Sequence, residues 1–294
     1  MAGAVTVPVK ECVGEALRFA ADNIRSIAAV SAAGALVLTV LAGLTLLAGP
    51  LGLAAGLATT FVRAAIYAMF IAAMLFGVHA VRARAVSDAW QVWAAMALLG
   101  LFLFIVMFVV SIPGMIVLLA GPLAPYIGDL QSAGEDQGQI LQVMLRFAQE
   151  EPLAVLLFTL FYAAVWLLLT SRLYLAAPAS VEARRVLVFE TWGWTRGAVL
   201  AVTWARLMLL GPAYVLVSAL DYIVARLFGV NAFDLGASLA QTNQIGFLGY
   251  VFVTSLIAFA IYASLEAGLS TSLFRTLRQQ PPTGLRLDQV IKSD

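Results

Sequence analysis

The chain has 294 residues, 63% hydrophobic and 11% charged, with a formal net charge of +1 and a mean hydropathy of +0.97. Soluble domains carry about 25% charged residues, so this composition excludes a water-soluble globular protein, and the apolar surplus must face lipid. The charge balance offers no electrostatic basis for nucleic-acid binding. The single cysteine, Cys12, excludes an intrachain disulfide and a cysteine metal site.

Residues 1–25 do not form a span. Val9, Val13, Ala16, Leu17, Ala20 and Ile24 recur at helical spacing, Lys10, Glu11, Glu15, Arg18, Asp22 and Arg25 fill the other face, and Pro8 suits a first turn. The pattern predicts an amphipathic helix lying in the headgroup plane. Six apolar runs follow within residues 26–277, at about 26–47, 57–81, 93–120, 153–177, 198–227 and 245–274. Each reaches the ~20 residues needed to cross ~30 Å of hydrocarbon. The first begins too late and runs too long for a cleavable leader, which predicts a retained anchor. The third and fifth are long enough to tilt or break, with Pro113 and Gly114, and Gly211 and Pro212, as the expected kinks.

Twelve positive residues fall in the N-terminal segment, the second and fourth connections and the tail, against one, Arg146, in the other three connections. By the positive-inside rule both ends are expected in the cytoplasm. The opposite side carries Asp129, Glu135, Asp136, Glu150, Glu151 and Asp234. Its largest feature is the loop 121–152, where Ile140, Met144 and Phe147 share a face of a predicted helix over 139–149. That helix is read either as a plain surface helix or as a lid for a partner. Short segments at 88–92 and 190–194 repeat the order acidic, small, large apolar, any, large apolar of residues 15–19. They suggest three interfacial-helix-plus-hairpin units, with Trp90, Trp192 and Trp194 as interface anchors. Residues 278–294, with Pro281 and Pro282, are expected to form a flexible cytoplasmic tail.

Ionisable residues within spans cost roughly 2.5–3.5 kcal/mol each on insertion scales and point to function. They are Arg63, Arg172, Arg206, Asp221, Arg226 and Glu266, with His79 near a span end. The topology predicts Arg172, Arg206 and Glu266 in the cytoplasmic half, and Arg63, Asp221 and Arg226 in the outer half. Two readings stay open. Glu266 pairs with Arg206 or Arg172 and Asp221 with Arg63, pinning helices together; or these residues line a polar cavity whose arginine excess suits an anion or headgroup. Snorkelling is a third option for Arg172 and Arg226. The small residues at 31–34 and 54–56 predict close helix packing. One histidine, no phosphate loop and no dinucleotide fingerprint leave no catalytic constellation, so a non-enzymatic protein without metal or cofactor is expected.

Residues 171–197 read SRLYLAAPASVEARRVLVFETWGWTRG. An arginine ends a span, Leu-Ala-x-Pro and Val-Glu follow, and an interfacial helix ends in Trp-x-x-Thr-x-Gly. At Arg172, Leu175, Ala176, Pro178, Val181, Glu182, Trp194, Thr195 and Gly197 this resembles the bacterial YciC-like family of six-helix membrane proteins. That family includes the membrane domain beside some glycerophosphoryl diester phosphodiesterases. Residues 16–23 are similar to its opening helix, and 270–277 to its last span running into a basic tail. Gly193 stands where that pattern has serine. The resemblance implies a six-helix fold in the inner membrane and no chemistry of its own, the phosphodiesterase activity belonging to a separate catalytic domain.

The sequence therefore predicts an all-α, polytopic membrane helix bundle. Its expected role is to organise lipid or protein partners, including further copies of itself, through interfacial helices. The alternative is a small transporter or lipid-handling protein with an arginine-lined anion or headgroup site.

Overall fold

A computed structural model describes residues 7–47, 52–230 and 244–279. The expected tail falls almost wholly outside these residues, as does Asp234. The described residues form helices and no strands: α1 Val9–Asp22, α2 Ile24–Leu47, α3 Gly52–Phe76, α4 Val78–Ala120, α5 Ile127–Ala133, α6 Gln137–Glu150, α7 Pro152–Arg172, α8 Ala176–Ala183, α9 Glu190–Trp194, α10 Val199–Leu227, α11 Gln244–Ile257 and α12 Ser264–Gln279. A π-helical segment, Ala258–Ala263, joins α11 to α12. Six of the helical stretches are long and apolar enough to cross a membrane: Ile24–Leu46, Ala54–Phe76, Val78–Ala120, Pro152–Ala183, Val199–Leu227 and Gln244–Arg278. The protein is a multi-pass, all-α membrane protein. It divides into two compact units, residues 1–98 with 171–294, and residues 99–170.

In the first unit, α1 packs on protein through a face slightly rotated from the one its hydropathy marks. Cys12 and Ala16 are buried, while Leu17 and Ile24 are 49% and 65% exposed. The rotation follows from docking against α12. A Cβ built on Gly268 would lie 3.0 Å from Ala16 Cα, so any larger residue would push the two helices apart by at least a few tenths of an ångström. Beside it, the Ser272 hydroxyl donates to Glu15 Oε2 at 2.5 Å, and Cys12 Sγ lies 3.7 Å from Thr276 Oγ1. A single residue, Asn23, separates α1 from α2. Its backbone N–H and side-chain Nδ2 both donate to the Phe19 carbonyl, at 3.2 and 3.0 Å, satisfying an oxygen the chain turn would leave orphaned.

The segment 88–92 is not a separate interfacial helix. It lies inside α4, whose 43 residues span about 65 Å at 1.5 Å per residue, twice the ~30 Å hydrocarbon core. The charged turns and the apolar run after them thus belong to one continuous helix. Segment 190–194 does form its own short helix, α9.

Spans α3 and α12 run parallel, since Tyr67 meets Ser270 and Met74 meets Arg275. Span α2 approaches α3 and the π-helical segment closely: a Cβ on Gly34 would lie 2.8 Å from Ile66 and 3.2 Å from Phe259. The small-residue packing expected at 31–34 is therefore present. At Gly56 an added Cβ would meet open space.

The basic residues at one end of this unit tie elements together. Arg84 pairs with Asp88 at 3.2 Å, donates to the Val181 carbonyl at 2.7 Å and stacks over Phe76. Arg275 Nη2 donates to the Met74 carbonyl at 2.6 Å, capping the end of α3, and Arg278 pairs with Glu182. Charge counting assigns these arginines only to a membrane side; their hydrogen bonds also make them fasteners.

The second unit contains the later part of α4, a 3₁₀ turn Ala124–Tyr126, α5, α6 and most of α7. Tyr162 donates from α7 to the Val110 carbonyl at 3.2 Å, close to where Pro113 removes a helical N–H. Gly114 leaves room for that hydroxyl. The helix predicted over 139–149 is α6. Asp136 caps it, accepting from Gly138 N and Gln139 N at 2.9 and 3.2 Å. Phe147 is buried against Tyr126 with ring centroids 5.4 Å apart, and Tyr126 donates to Glu150 at 2.6 Å. Met144 stays 39% exposed, so Phe147 with Val143 forms the packed face. Arg146 pairs with Asp129.

Candidate functional site

Two polar features meet in the first unit, one closed and one open. The closed feature begins at Arg206 on α10, which is 8% exposed. Its Nη1 donates to Ser171 Oγ at 2.8 Å, and its guanidinium lies 4.6 Å from the Tyr174 ring centre. The Tyr174 hydroxyl reaches the Glu266 carbonyl at 3.3 Å. Nearby, the Tyr67 and Ser270 hydroxyls are 3.0 Å apart, one helical turn from Glu266. A buried charge requires this kind of surround, because hydroxyls and a ring face replace the water it loses.

The open feature is a cleft of about 610 Å³ between α2, α3, α4 and the last span. Leu38, Leu57, Met96, Phe259 and several alanines supply apolar walls, and Thr60, Tyr67, Trp93, Ser255 and Tyr262 supply polar edges. Two charged residues line it, Arg63 and Glu266. Trp93 is held in place by its Nε1, which donates to Thr60 Oγ1 at 3.0 Å. The π-helical segment contributes Ala258, Phe259, Tyr262 and Ala263 to the wall. Segments of this kind recur at functional sites because the widened turn re-aims side chains. Hydropathy carries no signal for it.

The predicted site residues separate accordingly. Arg63 and Glu266, expected at different depths, line one cleft. Tyr67 and Ser270 bond to each other, and each lies four residues C-terminal to one of these two. On parallel helices that places Arg63 and Glu266 on the same side of that bond, about 6 Å along the axis. Among the described residues neither makes an ion pair. Asp221 is not paired with Arg63; its Oδ1 accepts from the Tyr250 hydroxyl at 3.0 Å. Arg172 stacks 5.3 Å from the Trp192 ring centre, and Arg226 donates to the Tyr222 hydroxyl at 2.8 Å. Tyrosines and a tryptophan thus take partner roles that the sequence reading gave to ions of opposite charge. They are hard to foresee because hydroxyls and rings are distributed throughout such a chain.

The anchor tryptophans also separate. Trp90 is 58% exposed and lies 5.2 Å from the Trp93 ring beside the cleft. Trp192 is 38% exposed, while Trp194 packs on Phe274 at 5.9 Å. Among the described residues no group of three or more His, Cys, Asp and Glu side chains is placed to hold a metal ion.

Residues 171–197 form a tight corner. The Thr195 hydroxyl is buried and donates to the Arg172 carbonyl at 2.9 Å, fastening the end of α7 to the start of α10. Gly197 adopts φ +84°, a conformation other residues enter at a cost. Ser180 Oγ accepts from Leu187 N at 2.9 Å across the turn that contains Arg184, itself at φ 53°. Thr195→Val is expected to lower stability by about 1 kcal/mol, read as a lower denaturation midpoint in detergent; an unchanged midpoint would remove the fastening role. Comparison with protein-family profiles, with curated proteins and with solved structures found no match to the chain.

Proposed function

We propose that this is a non-catalytic protein of the bacterial inner membrane, akin to the YciC-like proteins, that holds a membrane lipid in the cleft lined by Arg63 and Glu266. The observation that carries the reading is the cleft's composition. Its walls are apolar, and at its edge Arg63 makes no hydrogen bond or ion pair among the described residues. An arginine in that state is set to take a phosphate oxygen, because its planar fork matches one and its donors are not engaged within the described residues. The walls then take acyl chain. The positive-inside distribution supports a cytoplasmic position for both ends. In that orientation α1, docked on α12, lies at the cytoplasmic surface and is available to lipid or protein partners.

The test is lipid retention. The purified protein, released gently from detergent into a mass spectrometer, is expected to carry phospholipid. Arg63→Gln should reduce that occupancy about tenfold, the value of one charge-assisted contact. Arg63 is exposed and holds no other element in place, so folding should be preserved. A wild-type protein that carries no lipid, or an Arg63→Gln protein that carries as much, would remove the reading.

A further inference from the structure

The cleft presents two opposite charges that do not neutralise each other. Arg63 and Glu266 both line it, and neither makes an ion pair among the described residues. The two sites are therefore separate points on one surface, at similar height along parallel helices. Tyr67, Tyr262 and Trp93 line the same cleft.

Resting on the lipid reading above, we propose that the cleft selects a zwitterionic phosphoethanolamine group, with its phosphate on Arg63 and its ammonium at Glu266. An ammonium brings three donors, and a carboxylate only accepts, so the two match without any further group. A headgroup ending in glycerol satisfies Arg63 but brings no positive charge to Glu266. A trimethylated ammonium keeps its charge yet has no N–H to donate, so the carboxylate would be desolvated without a hydrogen bond. Discrimination therefore arises at Glu266, and affinity for phosphate in general at Arg63.

The full-length protein would be exchanged into an equimolar mixture of dioleoyl phosphatidylethanolamine, phosphatidylglycerol and phosphatidylcholine, and its retained lipid measured by native mass spectrometry. Wild type is expected to hold phosphatidylethanolamine about tenfold over each of the other two. Arg63→Gln should lose all three together. Glu266→Gln should keep lipid and lose the preference, while Glu266→Asp, still charged, should retain it. An excess of free phosphoethanolamine separates two sources of the same chemistry: displacement assigns a soluble zwitterion, and retention assigns the membrane lipid. Wild type holding the three lipids equally would overturn the zwitterion and leave the lipid cleft standing, whereas no retained lipid would remove both. A preference that survives Glu266→Gln also overturns the assignment.

Discussion

Gly268→Val is expected to expose Cys12. In the wild type Cys12 is 1% exposed, enclosed where α1 lies on α12. It is also the chain's single cysteine, so a maleimide reagent reports on this contact alone. A Cβ at position 268 would stand 3.0 Å from Ala16 Cα and 3.1 Å from its Cβ. The Ala16 contact is backbone, which cannot swing aside as a side chain can. Valine adds two further methyl groups to the same gap, and overpacking of this kind costs about 1–3 kcal/mol, occasionally more. α1 has little to resist it, since it is only 14 residues long, at the margin of what forms a helix in isolation. Separation from α12 would also break the Ser272–Glu15 hydrogen bond. The measured result should be rapid labelling in Gly268→Val, slow labelling in wild type and an intermediate rate in Gly268→Ala. Equal labelling rates in wild type and Gly268→Val would show that α1 does not depend on this contact.

Arg206→Ala should be the most damaging single substitution among the intramembrane charges. It removes the donor to Ser171 and the ring contact with Tyr174. Leaving the buried Ser171 hydroxyl without its charged donor costs about 1–3 kcal/mol, and the space vacated by the guanidinium adds to that loss. Arg206→Lys should recover little of this, since an ammonium cannot reproduce the planar fork that lies on a ring while donating sideways. The measurement is the unfolding midpoint in a titration of mild micelles with a denaturing detergent. If Arg206→Ala shifted that midpoint no more than Arg63→Gln does, the closed cluster would not be a structural centre. The contrast between these arginines is the useful part: one is enclosed by partners, the other faces an open cleft.

What could be read before folding is what depends on solvent. The six apolar runs had to become helices crossing lipid, because a backbone in hydrocarbon satisfies its polar groups only in a helix or a closed barrel, and unbroken apolar runs of ~20 residues suit the helix. Most of their observed bounds lie within a few residues of the expected ones, but the third begins at Val78 and not near residue 93. The helix of loop 121–152 was legible for a related reason, since Phe147 recurs on its apolar side and is buried. Partner choice was not legible. Asp221 bonds Tyr250 and not an arginine, and Arg63 shares a cleft with Glu266, which a depth ruler had placed elsewhere. Within lipid every neighbouring helix is similarly apolar, so hydropathy does not say which faces meet. Small residues such as Gly34 and Gly268 decide that by allowing close approach, and the approach in turn determines which hydroxyls, rings and charges become neighbours. Composition and periodicity thus determined the helices and their passage through lipid. The tertiary structure alone decided that one arginine is enclosed and another is left facing an open cleft, because that outcome depends on the packing of side chains between helices far apart in the chain.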